Sequence, residues 1–288
     1  MARPQSRRAG AISAAVLPYL PLRRCYAGKT VVLGLPKGRL PRLLAALVGV
    51  FLCSSASAGD ALVAVAANFS EAAEHLATHF EDTSEHTLTI TSGSTGKLYA
   101  QIRHGAPFDI LLAADQHRPR LLESTSQAVA GSRFTYAIGR LTLWSLDPNC
   151  ISAAGPAILR DGAFDKLAIA NPDLAPYGAA ARETLKALGL FDTLRHRIVM
   201  GENIGQAHAL VATGNADAGF VALSHVLSPR NRQKGSRWDV PQHFYTPIRQ
   251  DAVLLNRGSN NPAAHAFLDY LKSKESRGVI ESFGYAVD

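Results

Sequence analysis

From residue 59 onward, apolar positions alternate between two spacings. Residues 62–66 form a short apolar run, and over 70–80 Ala73, Leu76, Ala77 and Phe80 recur at three- and four-residue intervals. That change of period predicts a strand followed by an amphipathic helix. The exchange repeats with a β-rich segment at 87–91, a helix over 96–104 ending near Gly105, a buried strand at 108–113 and a short helix at 118–124. A βαβαβα run of this kind implies a parallel sheet with helices on both faces.

Residues 133–146 depart from the pattern. They are a long stretch of β-formers broken at Gly139-Arg140, read as the chain leaving one lobe and entering another. The second lobe repeats the theme with strands at 167–170, 198–200 and 218–222 and helices over 178–188 and 204–213. A strand at 252–255 crosses back, and helices over 262–271 and 274–283 close the chain. Two α/β lobes joined by two extended crossings make a hinged clamshell, with its ligand in the cleft at the strand carboxyl ends. The expected division is a leader at 1–58, lobe I at 59–138 plus 248–288, and lobe II at 139–247.

Charge changes the picture in one respect. The formal net charge is +7, but nine of the 30 Lys and Arg lie within residues 1–58, which hold none of the 23 Asp and Glu. The remainder carries 21 basic against 23 acidic residues, a net of about −2. A nucleic-acid partner needs a concentrated basic face, so none is expected. The basic leader reads as an export signal: Lys37, Arg39 and Arg42 are followed by apolar residues 43–53 and by Ala56-Ser57-Ala58, a small-x-small cleavage site that would leave Gly59 as the new terminus. The apolar run is well short of the roughly 20 residues a membrane-spanning helix needs. Leu52 before Cys53 disfavours lipid attachment. Cys25 and Cys53 fall in the leader, so Cys150 alone remains and can form no intramolecular disulfide.

Two turns hold the candidate chemistry. Ala66-Ala67-Asn68-Phe69 and Ser92-Gly93-Ser94-Thr95-Gly96-Lys97 each stand between a strand and a helix. The first N–H groups of a helix are unpaired and its dipole is positive there, so such places attract anions. Read alone, Asn68 is better explained as an ordinary helix cap than as a ligand contact, while the Ser94-Thr95 turn serves equally as a plain cap or an anion-binding turn. A nucleotide-binding P-loop needs four residues between its first glycine and the Gly-Lys pair, whereas Gly93 and Gly96 are separated by two. Ala175-Pro176-Tyr177-Gly178 and Glu202-Asn203-Ile204-Gly205 mark the two helix starts of the second lobe. Tyr177 could offer its hydroxyl or its N–H, and Ile204 only a backbone N–H.

Other groups resist a chemical role. His75 and His79 are four apart, but no Glu follows His75 as a zinc-protease helix requires. Asp109 and Asp115 lack a paired carboxylate, and there is no Gly-x-Ser-x-Gly elbow. Arg230, Arg232, Lys234 and Arg237 read as a solvated loop face.

With these residues in place, the chain from 61 to 287 resembles the periplasmic molybdate-binding proteins of bacterial ABC importers, in the type II solute-binding family. The likeness runs through residues 63–69, the Ser-Gly-Ser-Thr-Gly turn, Gly105-Ala106-Pro107-Phe108-Asp109 and Ala113-Ala114-Asp115-Gln116. It continues through Asn171-Pro172, Pro176-Tyr177-Gly178, Gly201-Glu202-Asn203 and Ser282-Phe283-Gly284-Tyr285. The resemblance implies a two-lobed α/β clamshell with mixed sheets, helices on both faces and two hinge crossings. It places oxyanion contacts on Ala67, Asn68, Thr95, Tyr177 and Ile204, with Ser94 as the alternative donor to Thr95. Asn68, Thr95, Tyr177 and Ile204 would touch the metal only in the sense of contacting molybdate. Ala222 stands where one branch of the family has a contacting tyrosine, and Thr95 where Ser is usual; the chain resembles the branch with Asn in the first loop and Tyr in the Pro-Tyr-Gly turn.

The implied function is extracytoplasmic binding of molybdate or tungstate and its delivery to a membrane permease, by a periplasmic monomer with no cofactor and no enzymatic activity. The alternatives are a binding protein for another tetrahedral oxyanion such as sulfate, or an enzyme on the same scaffold. Four helix starts of about half a positive charge each nearly match a dianion. Molybdate and tungstate are fully deprotonated at neutral pH and only accept hydrogen bonds. Phosphate keeps a proton that needs an acceptor, and the implied contacts include no carboxylate.

Overall fold

Strand ends set the geometry of this molecule. The computed structural model describes residues 59–152 and 155–288; the export signal expected within 1–58 lies outside the described residues. Lobe I begins with β1 (Asp60–Ala66), α1 (Ser70–Thr83), β2 (Thr87–Gly93), α2 (Thr95–Arg103), β3 (Ile110–Leu112), α3 (His117–Ser124) and β4 (Phe134–Gly139). The chain then enters lobe II: β5 (Leu141–Ser145), α4 (Ala157–Asp161), β6 (Leu167–Ala170), α5 (Pro176–Ala187), α6 (Phe191–Leu194), β7 (Ile198–Gly201), α7 (Ile204–Ala212), β8 (Ala218–Ala222), α8 (Leu223–Leu227) and β9 (Ser236–Asp239). It returns through β10 (Ile248–Leu254) and ends with α9 (Pro262–Leu271) and α10 (Lys274–Ser282).

Two five-stranded sheets result, ordered β2-β1-β3-β10-β4 and β7-β6-β8-β5-β9. In each, the strands fed by helical crossovers are parallel, as the alternating pattern requires: β1 with β2 and β3, and β6 with β7 and β8. The crossing strands are not. β10 arrives from lobe II and runs antiparallel to both β3 and β4, and β5 is antiparallel to β8 and β9. The sheets are therefore mixed rather than parallel. Gly139-Arg140 is the break between β4 and β5, so one residue separates a strand of the first sheet from a strand of the second.

Both faces of each sheet are covered, which explains why β1, β6 and β8 read as unbroken apolar runs. In lobe I, Val63, Val65, Ile110 and Leu112 pack under α1 and α9, while Ala64 and Leu111 pack under Leu98, Ile102 and Leu122. In lobe II, Leu143, Ile169 and Phe220 share a core with Tyr177, Ala181 and Leu185 of α5, and Ala168 and Val221 face Val211 of α7. The four short elements α4, α6, α8 and β9 escaped the sequence reading, being too brief to show a period. Arg237, read as part of a loop, lies in β9 and pairs with Asp239.

Polar groups in lobe I are structural anchors. Asp109 Oδ2 accepts from Leu62 N (2.7 Å) and Arg257 Nη1 (2.8 Å), and Asp115 caps α3 through Arg118 N (2.8 Å). His79 meets Glu275 and stacks on Tyr270, while His75 packs on Phe283, so the i,i+4 histidine pair has no shared ligand. Asp251 is fully buried and is held by Arg133, Thr135 Oγ1 (2.7 Å) and Gln116 Nε2 (3.1 Å). Removing this acid strips the counter-charge from Arg133, which retains some solvent and Glu123. Asp251→Ala should therefore cost about 2–3 kcal/mol, measurable by urea denaturation.

Candidate functional site

Register brings the candidate residues together. β1 and β2 end level, Ala66 opposite Gly93, so the turns after them stand side by side. In lobe II, β6 and β7 end level, Ala170 opposite Gly201, and α5 and α7 start beside each other. The two pairs face one another across the cleft. Ala67, Asn68, Ser94, Thr95, Tyr177 and Ile204 all line one small chamber. Among the described residues that line it there is no Lys, Arg, His, Asp or Glu.

Each position offers a distinct donor. Ser94 is the N-cap of α2, its Oγ accepting from Lys97 N at 3.4 Å. Thr95 is the first helical residue; its buried Oγ1 accepts from Ala114 N at 3.0 Å, which leaves the hydroxyl proton to be donated elsewhere. Asn203 caps α7 through Gln206 N (3.0 Å), so the Ile204 N–H lies in a first turn with no carbonyl of its own helix to bind. Pro176 opens α5, where its missing N–H costs nothing, and puts Tyr177 in the first turn. Burial pushes the Tyr177 phenol well above its ordinary value, so it remains a neutral hydroxyl.

Asn68 departs from the capping role open to it from sequence. It lies in a 3-10 turn, Ala67–Phe69, that precedes α1, and its side chain caps nothing. Its Nδ2 instead donates to Gln250 Oε1 (2.8 Å) and Tyr285 Oη (3.1 Å), while its carbonyl accepts from Tyr285 Oη (2.6 Å) and Ser224 Oγ (3.0 Å). Gln250, Tyr285, Tyr136 and Ser224 thus form a polar wall behind the chamber. Sequence reasoning did not find them, because nothing local distinguishes Gln250 in a strand or Tyr136 in another.

The family model for bacterial extracellular solute-binding proteins matches residues 61–286. The chain belongs to that family. It is 48% identical over 248 residues to the molybdate-binding protein ModA of Azotobacter vinelandii, covering 86% of this chain and 98% of that one. To ModA of Rhodobacter capsulatus it is 44% identical over 245 residues, covering 85% and 94%. Among solved structures, the periplasmic molybdate-binding protein of Azotobacter vinelandii aligns with a TM-score of 0.76 at 39% identity, over 79% of this chain and 99% of that one.

In this solute-binding protein the lobes are closed on each other. Gly96 N donates to Leu174 O (2.9 Å) across the cleft, Lys97 Nζ pairs with Glu202 (2.9 Å), and Arg118 Nη2 donates to Asp173 O (3.1 Å). A side chain at Gly96 would press on the Leu174 backbone, so glycine permits the approach. Arg230, expected on a solvated face, bridges from lobe II to Glu74 (2.8 Å) and Glu71 (3.8 Å) of α1. A wider groove also runs between the lobes. Its lining mixes the acids Asp115 and Glu183 with the basic Arg118 and Arg249, whereas the small chamber is lined by neutral residues.

The far side of the seam holds a histidine pair. His225 Nε2 donates to Ala67 O (3.2 Å), the carbonyl of the first turn, and its ring lies 5.2 Å from that of His208, which stacks on Trp144. Burial, and then the neighbouring His225, push His208 down to about 4; burial likewise lowers His225. Both folded-state values lie below the ordinary 6.5, so the unfolded chain binds more protons between them. Stability should be complete above about pH 6.5 and fall as pH drops toward 4, by at most about 1.4 kcal/mol per pH unit for each histidine. Urea midpoints across that range should show the fall, and His208→Gln should flatten it.

Proposed function

We propose that this protein binds molybdate, and tungstate with it, outside the cytoplasm and hands it to the membrane permease of an ABC importer. The observation that carries the reading is the small chamber in which four helix starts meet and whose described lining is entirely uncharged. Removing a dianion from water costs many kcal/mol and must be offset by aimed dipoles and hydrogen bonds. The first-turn N–H groups of Thr95, Tyr177 and Ile204, the Asn68 turn and the Thr95 hydroxyl supply them without a counter-ion. A lining of neutral donors suits a fully deprotonated tetrahedral anion. The similarity to proteins named for molybdate binding supports the same assignment. Release requires that the lobes part, which breaks surface ion pairs worth about 1 kcal/mol or less each and the buried cross-lobe hydrogen bonds at Asn68 and Tyr177. The chamber's described lining holds no Asp, Glu, His or Lys to act as a general base or to activate its Ser94 and Thr95 hydroxyls, so we read the protein as a carrier and not an enzyme.

Calorimetry with an oxyanion panel tests the reading. Molybdate and tungstate should bind one per chain, sulfate far more weakly and phosphate not at all; preferred sulfate binding would overturn it. In the same assay Thr95→Val should weaken molybdate binding by about 1.5–3 kcal/mol, the range for a hydrogen bond to a charged group. Thr95→Ser, which keeps the hydroxyl, should stay near the wild type.

A further inference from the structure

Gln250 presents a physical anomaly. It lies in β10 between Ile248 and Ala252, Val253 and Leu254, all buried, and is itself fully buried. An amide in such a place costs stability unless every polar atom is partnered, and an apolar side chain would be the simpler filling. Its partners explain its presence. Oε1 accepts from Asn68 Nδ2 (2.8 Å) and Tyr136 Oη (3.1 Å), and Nε2 donates to Tyr177 Oη (3.3 Å). Asn68 belongs to the lobe I turn and Tyr177 to the lobe II helix start, so one amide joins two chamber residues from opposite lobes. Local backbone is shaped around it. The β10–β4 register shifts between Gln250 and Asp251, where Ala137 and Thr135 are their partners and Tyr136 is the extra residue. Bulges of this kind re-aim side chains beside functional sites. Gly139, where β4 ends, leaves room for the Tyr177 hydroxyl and Gln250 Nε2; a Cβ there would overlap both.

We infer that Gln250 is a positioning residue for the oxyanion site, its amide holding Asn68 and Tyr177 in register across the two lobes. The role rests on the oxyanion reading above. It requires an acceptor toward Asn68 and a donor toward Tyr177 at once, a pair of functions that an amide has and a carboxylate lacks. A protonated carboxylic acid has both. Gln250→Glu is therefore the informative change: its buried carboxylate cannot donate to Tyr177, and it adds negative charge behind an anion site.

The test is calorimetric molybdate titration of wild type, Gln250→Glu and Gln250→Met at pH about 7.5 and about 5.5, each variant compared with wild type at the same pH, since burial raises a carboxyl into that range. Gln250→Glu should lose roughly tenfold or more at the higher pH and recover most of it at the lower, as the acid regains a proton. Gln250→Met should lose at both, with no recovery. If Gln250→Glu fails to fold, Gln250→Met carries the test in combination with Tyr177→Phe: the second change should cost less in the Gln250→Met background than alone. Binding by Gln250→Glu within twofold of wild type, an equal loss at both pH values, or full additivity of Gln250→Met with Tyr177→Phe would overturn the inference alone. Wild-type protein that binds no molybdate would overturn the oxyanion reading and the inference with it.

Discussion

An N–H group in the first turn of a helix finds no carbonyl within its own helix, and this protein points several such turns at one small space. Everything else in the fold serves that convergence. The parallel pairing of β1 with β2 ends at Ala66 and Gly93, and that of β6 with β7 at Ala170 and Gly201, so each lobe delivers two turns at one level. Covered sheet faces hold those strand ends rigidly, because core packing resists sliding by even one residue. In the proposed reading an anion's charge would be met chiefly by dipoles fixed to the backbone, which need little side-chain ordering on binding.

The cleft is spanned by two sets of bonds. Gly96 to Leu174, Lys97 to Glu202 and Arg230 to Glu74 lie outside the chamber and include the ion pairs, whereas Gln250 to Tyr177, Ser224 to Asn68 and His225 to Ala67 hold residues that line it. The chamber itself holds no charge among its described lining residues. Behind the chamber, Gln250, Tyr136 and Tyr285 tie the first turn to the returning strand and the chain's end. On the opposite side His225 holds the Ala67 carbonyl. The first turn is thus gripped from three directions, which fits a segment whose N–H groups must not wander.

The fold was readable because its elements are long and its strands doubly buried. Residues 167–170 and 218–222 were placed to the residue by an apolar run alone, and the break at Gly139-Arg140 marked the crossing. The antiparallel return of β10 and the short elements α4, α6, α8 and β9 were not readable, since direction and single turns leave no period. For the site, Asn68, Thr95 and Tyr177 could be nominated from turn chemistry and family likeness, but Ile204 only from likeness, because its contribution is a backbone N–H. Asn68's local signal pointed to a cap, whereas tertiary partners 182 and 217 residues away claim its side chain. Gln250 was invisible for the same reason: a buried amide in a strand is meaningful only once its partners are known.

The central claim is that a dianion sits among neutral donors contributed by both lobes. A crystal structure grown with molybdate, with anomalous data at the molybdenum edge, tests it most directly. The account predicts one molybdenum atom in the chamber, its oxygens at hydrogen-bond distance from backbone N–H groups of the Asn68 turn, Thr95, Tyr177 and Ile204, with no Lys or Arg in contact. Molybdenum in the wider groove beside Arg118, or in the chamber but held by a cationic side chain, would contradict it.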